Sequence, residues 1–226
     1  GDMNLAFNNV EIKGPTEFFR SMGLPLSVGS VQTQFAANKI AAGLNVGSTM
    51  KAEDVELKNI TLKADADTLI DIDNNDKINV SLDSQMQEPI IVSGFDHFKI
   101  HADTNFLYDV AGLNLPPDEI IKFDIDSLAT EVDLSAGYSI KDTQIENMTI
   151  KVGNDTAFAV NNNGIINVSF DSTLQSPTDI SGIKNFSLET NTNIANGILG
   201  MSLPSDEMAS VYVAALNGQV SLDPNT

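Results

Sequence analysis

The feature that most constrains this chain is that it repeats itself. Residues 55–89 align without a gap to residues 143–177, at an offset of 88 that sets Asn59 against Asn147. Ile78-Asn79-Val80-Ser81 recurs as Ile166-Asn167-Val168-Ser169, Asp83-Ser84 as Asp171-Ser172, and Asn74-Asn75 as Asn162-Asn163. The match continues through Ser93-Gly94 with Ser181-Gly182, Phe98 with Phe186, Gly112 with Gly200 and Leu115-Pro116 with Leu203-Pro204. A fixed period makes each unit one structural module that stacks on its neighbours. The expected division is a partial unit at 1–34, a repeat unit at 35–122, a second at 123–210 and the start of a further unit at 211–226, either in tandem or as one continuous domain.

A shorter pattern recurs within the unit: apolar-x-x-apolar-x-apolar, usually with Asn third. It stands as FNNVEI at 7–12, LKNITL at 57–62, FDHFKI at 95–100, IENMTI at 145–150 and IKNFSL at 183–188. Its closing step has period 2, as do Ile78, Val80 and Leu82 and Ile121, Phe123 and Ile125, which marks strands with one buried face. Asn74-Asn75-Asp76 and Asn162-Asn163-Gly164 lie between such runs, and Asn-Gly is a strong hairpin signal. These predict hairpins of 68–73 with 77–84 and of 156–161 with 165–172. Helix signals are few and stand out at 15–22, 105–111 and 193–199, each ahead of a Gly. Residues 204–216 also read as helical, although their counterparts at 116–128 alternate like a strand; 33–44 fits either state. The expected fold is mainly β: a tandem duplication of an 88-residue unit of antiparallel strands and hairpins with short helical segments.

Charge and residue inventory narrow the function. Twelve basic residues against 31 acidic give a net charge of −19 over 226 residues. Nucleic-acid binding needs clustered Lys and Arg, which are missing here, and anionic membrane surfaces are disfavoured for the same reason. With no Cys there is no disulfide, thiolate nucleophile or Cys-based zinc site. No run of 18 apolar residues provides a spanning helix, and no signal peptide is visible. Gly1 reads as an expression scar, and the chain starts inside a repeat, as a mature or trimmed piece would.

Each candidate site has a plainer explanation beside it. His97 and His101 could share zinc on a helix, but on a strand four steps separate them by about 13 Å and they face solvent. Asp71, Asp73, Asn75 and Asp76 resemble the opening of a calcium loop. The Gly and Glu that such a loop requires are replaced by Asp76 and Leu82, and the sister copy AVNNNG has lost its acids. They are weak metal candidates; otherwise no metal and no cofactor is expected. Asn59, Asn79, Asn147, Asn154, Asn167 and Asn185 begin N-x-S/T sequons, most of them by-products of the duplicated strand pattern. No nucleophile elbow, Ser-His-Asp set, phosphate loop or dinucleotide fingerprint is present. Carboxylates, Ser/Thr and Lys remain, diluted over two copies, and an enzyme is not expected.

The candidate ligand-binding residues lie on the helical segments. Phe18, Phe19 and Met22 align with Phe106, Leu107 and Val110 and with Ile194, Ile198 and Leu199. They either plug the end of a curved sheet or line a hydrophobic groove. The apolar-x-Asn-apolar-Thr-apolar strands are similar, in these short stretches, to the β-repeats of AsmA-type and other groove-forming lipid carriers; that resemblance implies an apolar groove. The expectation is a non-enzymatic extracytoplasmic β-repeat module, periplasmic, outer-surface or secreted, for binding or surface assembly. Its alternatives are a carrier of a lipid or other hydrophobic ligand in a β groove and a calcium-stabilised adhesin fragment. The partner would be a protein or a hydrophobic small molecule.

Overall fold

The structure, a computed structural model, describes residues 1–135, 137–171, 176–193, 196, 200 and 202–220. Fourteen strands form one antiparallel sheet. In chain order they are β1 Asp2–Pro15, β2 Gln32–Val46, β3 Thr49–Lys58, β4 Ile60–Ala64, β5 Asp67–Asp73, β6 Ile78–Asp83, β7 Ile90–Asp103, β8 Ile120–Asp133, β9 Tyr138–Glu146, β10 Met148–Val152, β11 Asp155–Asn161, β12 Ile166–Phe170, β13 Thr178–Asn191 and β14 Met208–Val220. Two helices, α1 Thr16–Ser21 and α2 Thr104–Ala111, link β1 to β2 and β7 to β8.

Pairing turns the fourteen strands into ten long lanes. β3 and β4 follow one another along β2. β6 lies on β3 and β5 on β4, and both then lie on β7. The second half matches: β9 and β10 both run on β8, β12 lies on β9, β11 on β10, and both lie on β13. Four of the lanes are therefore two strands end to end, and the whole is an up-and-down meander with β1 and β14 at its edges.

This corrects the two predicted hairpins. β5 does not turn back on β6, nor β11 on β12; each pair is one lane interrupted at Asn74 or Asn162. The reason is long-range. Asn74 is fully buried, its N–H donates to the Leu57 carbonyl at 2.9 Å, and its amide nitrogen donates to the Asp76 and Gly94 carbonyls at 2.7 and 2.9 Å. Its side-chain oxygen accepts the Asp96 N–H at 2.9 Å. The interruption is thus pinned into the middle of β7 instead of closing a turn. Asn162 is equally buried and binds the Gly164 and Gly182 carbonyls and the Lys184 N–H at 2.7, 2.9 and 2.9 Å. Gly94 and Gly182 have φ of +85° and +78°, and a Cβ on either would overlap the carbonyl of Lys77 or Ile165.

The recurrent six-residue pattern also has a conformational cause. Its third residue is left-handed in all five occurrences: Asn9, Asn59, His97, Asn147 and Asn185 have φ between +46° and +49°. That conformation costs most L-residues about 1–2 kcal/mol, and Asn tolerates it best after Gly. A strand whose sequence merely alternated would not need Asn there, so the pattern encodes a mid-lane kink.

Two remaining expectations resolve by packing. Residues 33–44 are strand, within β2, and the helical reading of 204–216 fails because β14 begins at Met208 and pairs along β13. The helices at 15–22 and 105–111 are present as α1 and α2; the segment at 193–199 falls largely outside the described residues.

Candidate functional site

Because directly opposed residues share a face, the register defines the two surfaces of the sheet. One row runs Ile12, Phe35, Leu62, Ile70, Ala102, Ile121, Val152. The next runs Ile60, Ile72, Ile100, Phe123, Ile150, Phe158. Between them, on the other face, lie Thr61, Asp71, His101, Lys122, Lys151 and Thr156. One face is therefore aliphatic and aromatic across at least six lanes, and the other is charged.

The apolar face is packed at its centre and open toward its sides. Ile78, Phe98 and Ile125 are buried there, with Val55, Val80, Phe95 and Phe123 packed against them. The Phe98 ring meets Phe95 and Phe123 edge-on, with centroids 5.2 and 6.0 Å away. Phe35, Ile70, Ile72, Ile100, Ile150 and Phe158 are half-buried. Toward the edges, Phe7 on β1 and Val211 on β14 are 54% and 53% exposed. The described residues form a single sheet, and within these rows Ile60, Leu62 and Ala102 are buried.

The helical segments sit at the ends of the lanes, with α1 against β1 and β2 and α2 against β7. Phe19 is buried, as are Thr16 and Thr33, which share a hydroxyl hydrogen bond of 3.0 Å. Phe18, whose ring meets Phe19 edge-on, and Met22 are exposed. On α2, Asp103 caps the helix by accepting the Phe106 N–H at 2.9 Å. Phe106 and Leu107 are half-buried, Val110 is exposed, and Gly112 closes the helix at φ +66°. Phe106 also lines a cavity of about 220 Å³ together with Leu26, Ala64, Leu69 and the acids Asp67, Asp103 and Asp109. The structure thus divides the six described helix candidates: Phe19 is packing, Phe106 and Leu107 are intermediate, and Phe18, Met22 and Val110 face outward. Ile194, Ile198 and Leu199 lie outside the described residues.

The polar candidates are occupied separately. Asp71 accepts the Lys99 ammonium at 2.7 Å, Asp73 accepts the Asn59 N–H at 2.9 Å, and Asp76 accepts the Lys77 N–H at 2.7 Å. The Asn75 carbonyl takes the Lys58 ammonium. The four weak metal candidates are not gathered around a common point, and no group of three or more metal-binding side chains occurs among the described residues. His97 pairs with Asp96 at 2.7 Å and His101 with Asp124 at 2.8 Å, so the two histidines serve different carboxylates.

Three of the six sequon asparagines, Asn59, Asn147 and Asn185, are the left-handed kink residues. Asn79 and Asn167 accept the N–H of Asp54 and Asp142, each at 3.0 Å, and Asn154 is exposed between β10 and β11.

Perturbed carboxylates serve loops and ion pairs. Bonds from the Gln85 and Glu88 N–H groups, and then from Gln87, hold the Asp83 carboxyl below its usual pKa. The Ser135 hydroxyl and N–H do the same for Asp133, and the Lys39 ammonium does so for Glu56. Asp83 organises the loop between β6 and β7, accepting those three N–H groups at 2.8–3.0 Å.

The ligand candidates legible in the sequence lie on the helices, whereas the apolar rows lie on the sheet face. Its signal was present in the alternation of Ile121, Phe123 and Ile125, which identified a strand but not the lanes that its apolar side would join. Comparison with family models, with curated proteins and with solved structures finds no match for this chain.

Proposed function

We propose that this chain is a non-enzymatic, extracytoplasmic β-repeat module, built by duplication of an 88-residue unit, that holds the acyl part of a lipid or similar hydrophobic ligand along the apolar face of its sheet. The observation that carries this reading is the pair of cross-sheet rows through Phe35 and Ile70 and through Ile100, Phe123 and Phe158, apolar over many lanes of the single sheet that the described residues form. A soluble domain that offers a contiguous apolar surface of this kind uses it for binding. A meander also suits an elongated ligand, because each added lane extends the same surface by about 4.8 Å. Periplasmic, outer-surface and secreted locations all fit a carrier without Cys.

The test is uptake of a fluorescent fatty acid by delipidated protein, with unlabelled oleate as competitor. Saturable uptake that oleate displaces is the expected result. Absence of uptake overturns the carrier and leaves the same face to a protein partner, as binding or surface assembly.

A further inference from the structure

Lys122 on β8 and Lys151 on β10 are directly opposed on the charged face of the sheet. Side chains so opposed have Cβ atoms about 4.5–5.5 Å apart, and like charges there are destabilising. Another opposed pair shows how such a contact is relieved. Lys39 faces Lys58 across β2 and β3, but Glu56 holds the Lys39 ammonium, and the Asn74 and Asn75 carbonyls hold that of Lys58. Among the described residues, neither Lys122 nor Lys151 has an ion-pair partner. Carboxylates are not scarce, at 31 acidic residues against 12 basic. Those near the pair are engaged elsewhere: Asp124 with His101 Nε2 at 2.8 Å, Asp71 with Lys99 at 2.7 Å, and Asp103 as the cap of α2. The row continues with His101 opposite Lys122 and Thr156 opposite Lys151. At the positions 88 residues upstream, Lys63 faces Gln34, a neutral amide that donates to Glu11 at 3.0 Å. The second, unneutralised lysine is therefore particular to Lys122.

We propose that Lys122 and Lys151, with the Thr156 hydroxyl, bind the phosphate group of a soluble phosphate monoester. Two opposed ammoniums match a phosphate dianion in charge, whereas a carboxylate neutralises only one of them. Lys binds phosphate as a point charge on a flexible stem, and a Thr hydroxyl supplies a further donor. The bound dianion would remove the repulsion that the free pair carries. A small ligand fits better than a membrane. The net charge of −19 opposes approach to an anionic bilayer, while a single phosphate senses chiefly the local pair, since charges beyond about 8 Å are largely screened at physiological salt. The pair lies on the face opposite the apolar rows, so the inference does not rest on the ligand reading.

Calorimetric titration with inorganic phosphate tests it, at constant ionic strength and at a pH where phosphate is a dianion. The parent chain is expected to bind one phosphate saturably and to bind acetate far more weakly. Lys122→Gln and Lys151→Gln are each expected to weaken phosphate binding about tenfold or more, the scale of one charge-assisted hydrogen bond. Lys63→Gln makes the same change of charge away from the pair and is expected to stay within about twofold, because distant charge is screened. Lys122→Glu turns the repulsion into a cross-strand ion pair; it is expected to melt above the parent in chloride and not to bind phosphate. Four results overturn the proposal: no saturable phosphate binding by the folded parent, affinity unchanged in both Gln variants, acetate bound as tightly as phosphate, or Lys122→Glu melting below the parent. Sedimentation with phosphatidylcholine vesicles containing phosphatidic acid, lost in Lys122→Gln, would give the site to a membrane headgroup and likewise overturn the soluble ligand.

Discussion

Replacing Asn74 by Ala should destabilise the fold far more than removal of a polar surface residue. The side chain is fully buried and makes three hydrogen bonds at 2.7–2.9 Å, to the Asp76 and Gly94 carbonyls and from the Asp96 N–H. At a net value of about 1 kcal/mol each, these contribute roughly 3 kcal/mol, and stranding a buried partner adds about 1–3 kcal/mol. The expected loss is about 4–6 kcal/mol, a large part of the roughly 5–15 kcal/mol that holds a domain together. Urea unfolding at pH 7 should show a lower midpoint with unchanged slope, since the surface exposed on unfolding stays the same. Asn74→Asp is the sharper control: it keeps the acceptor for Asp96 but turns a carboxylate toward two carbonyls, so it should be at least as damaging at neutral pH and partly relieved by acid. Asn162→Ala should match Asn74→Ala to within about 1 kcal/mol, because its bonds are the same in kind and number. A loss below about 1 kcal/mol for Asn74→Ala, the scale of a single exposed hydrogen bond, would refute the view that this side chain pins two lanes together.

Three other perturbations probe different parts of the fold. Gly94→Ala should prevent soluble expression or cost more than about 3 kcal/mol, because the added Cβ collides with backbone that cannot move aside; normal thermal unfolding of that variant would contradict the close approach. Phe19→Ala should cost about 3–5 kcal/mol as a cavity mutant and exposed Phe18→Ala only about 0.5 kcal/mol, so calorimetry should separate adjacent phenylalanines sharply. Asp83 has a depressed folded pKa, so its stabilising contribution is complete above the ordinary Asp value of about 3.9 and is lost as pH falls through the folded value. The urea midpoint should accordingly fall from pH 5 toward pH 2.5 in the parent, and less steeply in Asp83→Asn.

How far these features were legible in the sequence differs by residue. The six-residue pattern with Asn third was visible from composition and spacing alone, and its left-handed φ explains it through a local preference that Asn carries in any context. The strands and the helices at α1 and α2 were legible for the same reason: alternation, Pro and Gly are local signals. Asn74-Asn75-Asp76 was misread because the same residues favour a tight turn, and only distant partners, the Leu57 and Gly94 carbonyls and the Asp96 N–H, make them a mid-lane junction instead. The 204–216 segment was misread because Pro204, Asp206 and Glu207 fit a helix start, while pairing with β13 decides its state. The apolar face was hidden for a further reason: alternation identifies a strand with one apolar side, but not the lanes that this side joins.

The most direct measurement uses the fact that the chain has no Trp. Single tryptophans introduced as Phe123→Trp and Lys122→Trp occupy neighbouring positions on opposite faces of β8, and each is titrated with a bromine-labelled stearic acid that quenches by contact. The apolar-face account predicts saturable quenching of the tryptophan at 123, displaced by unlabelled stearate, with little at 122. Equal quenching at both positions, or none at 123 in a folded variant, would contradict it.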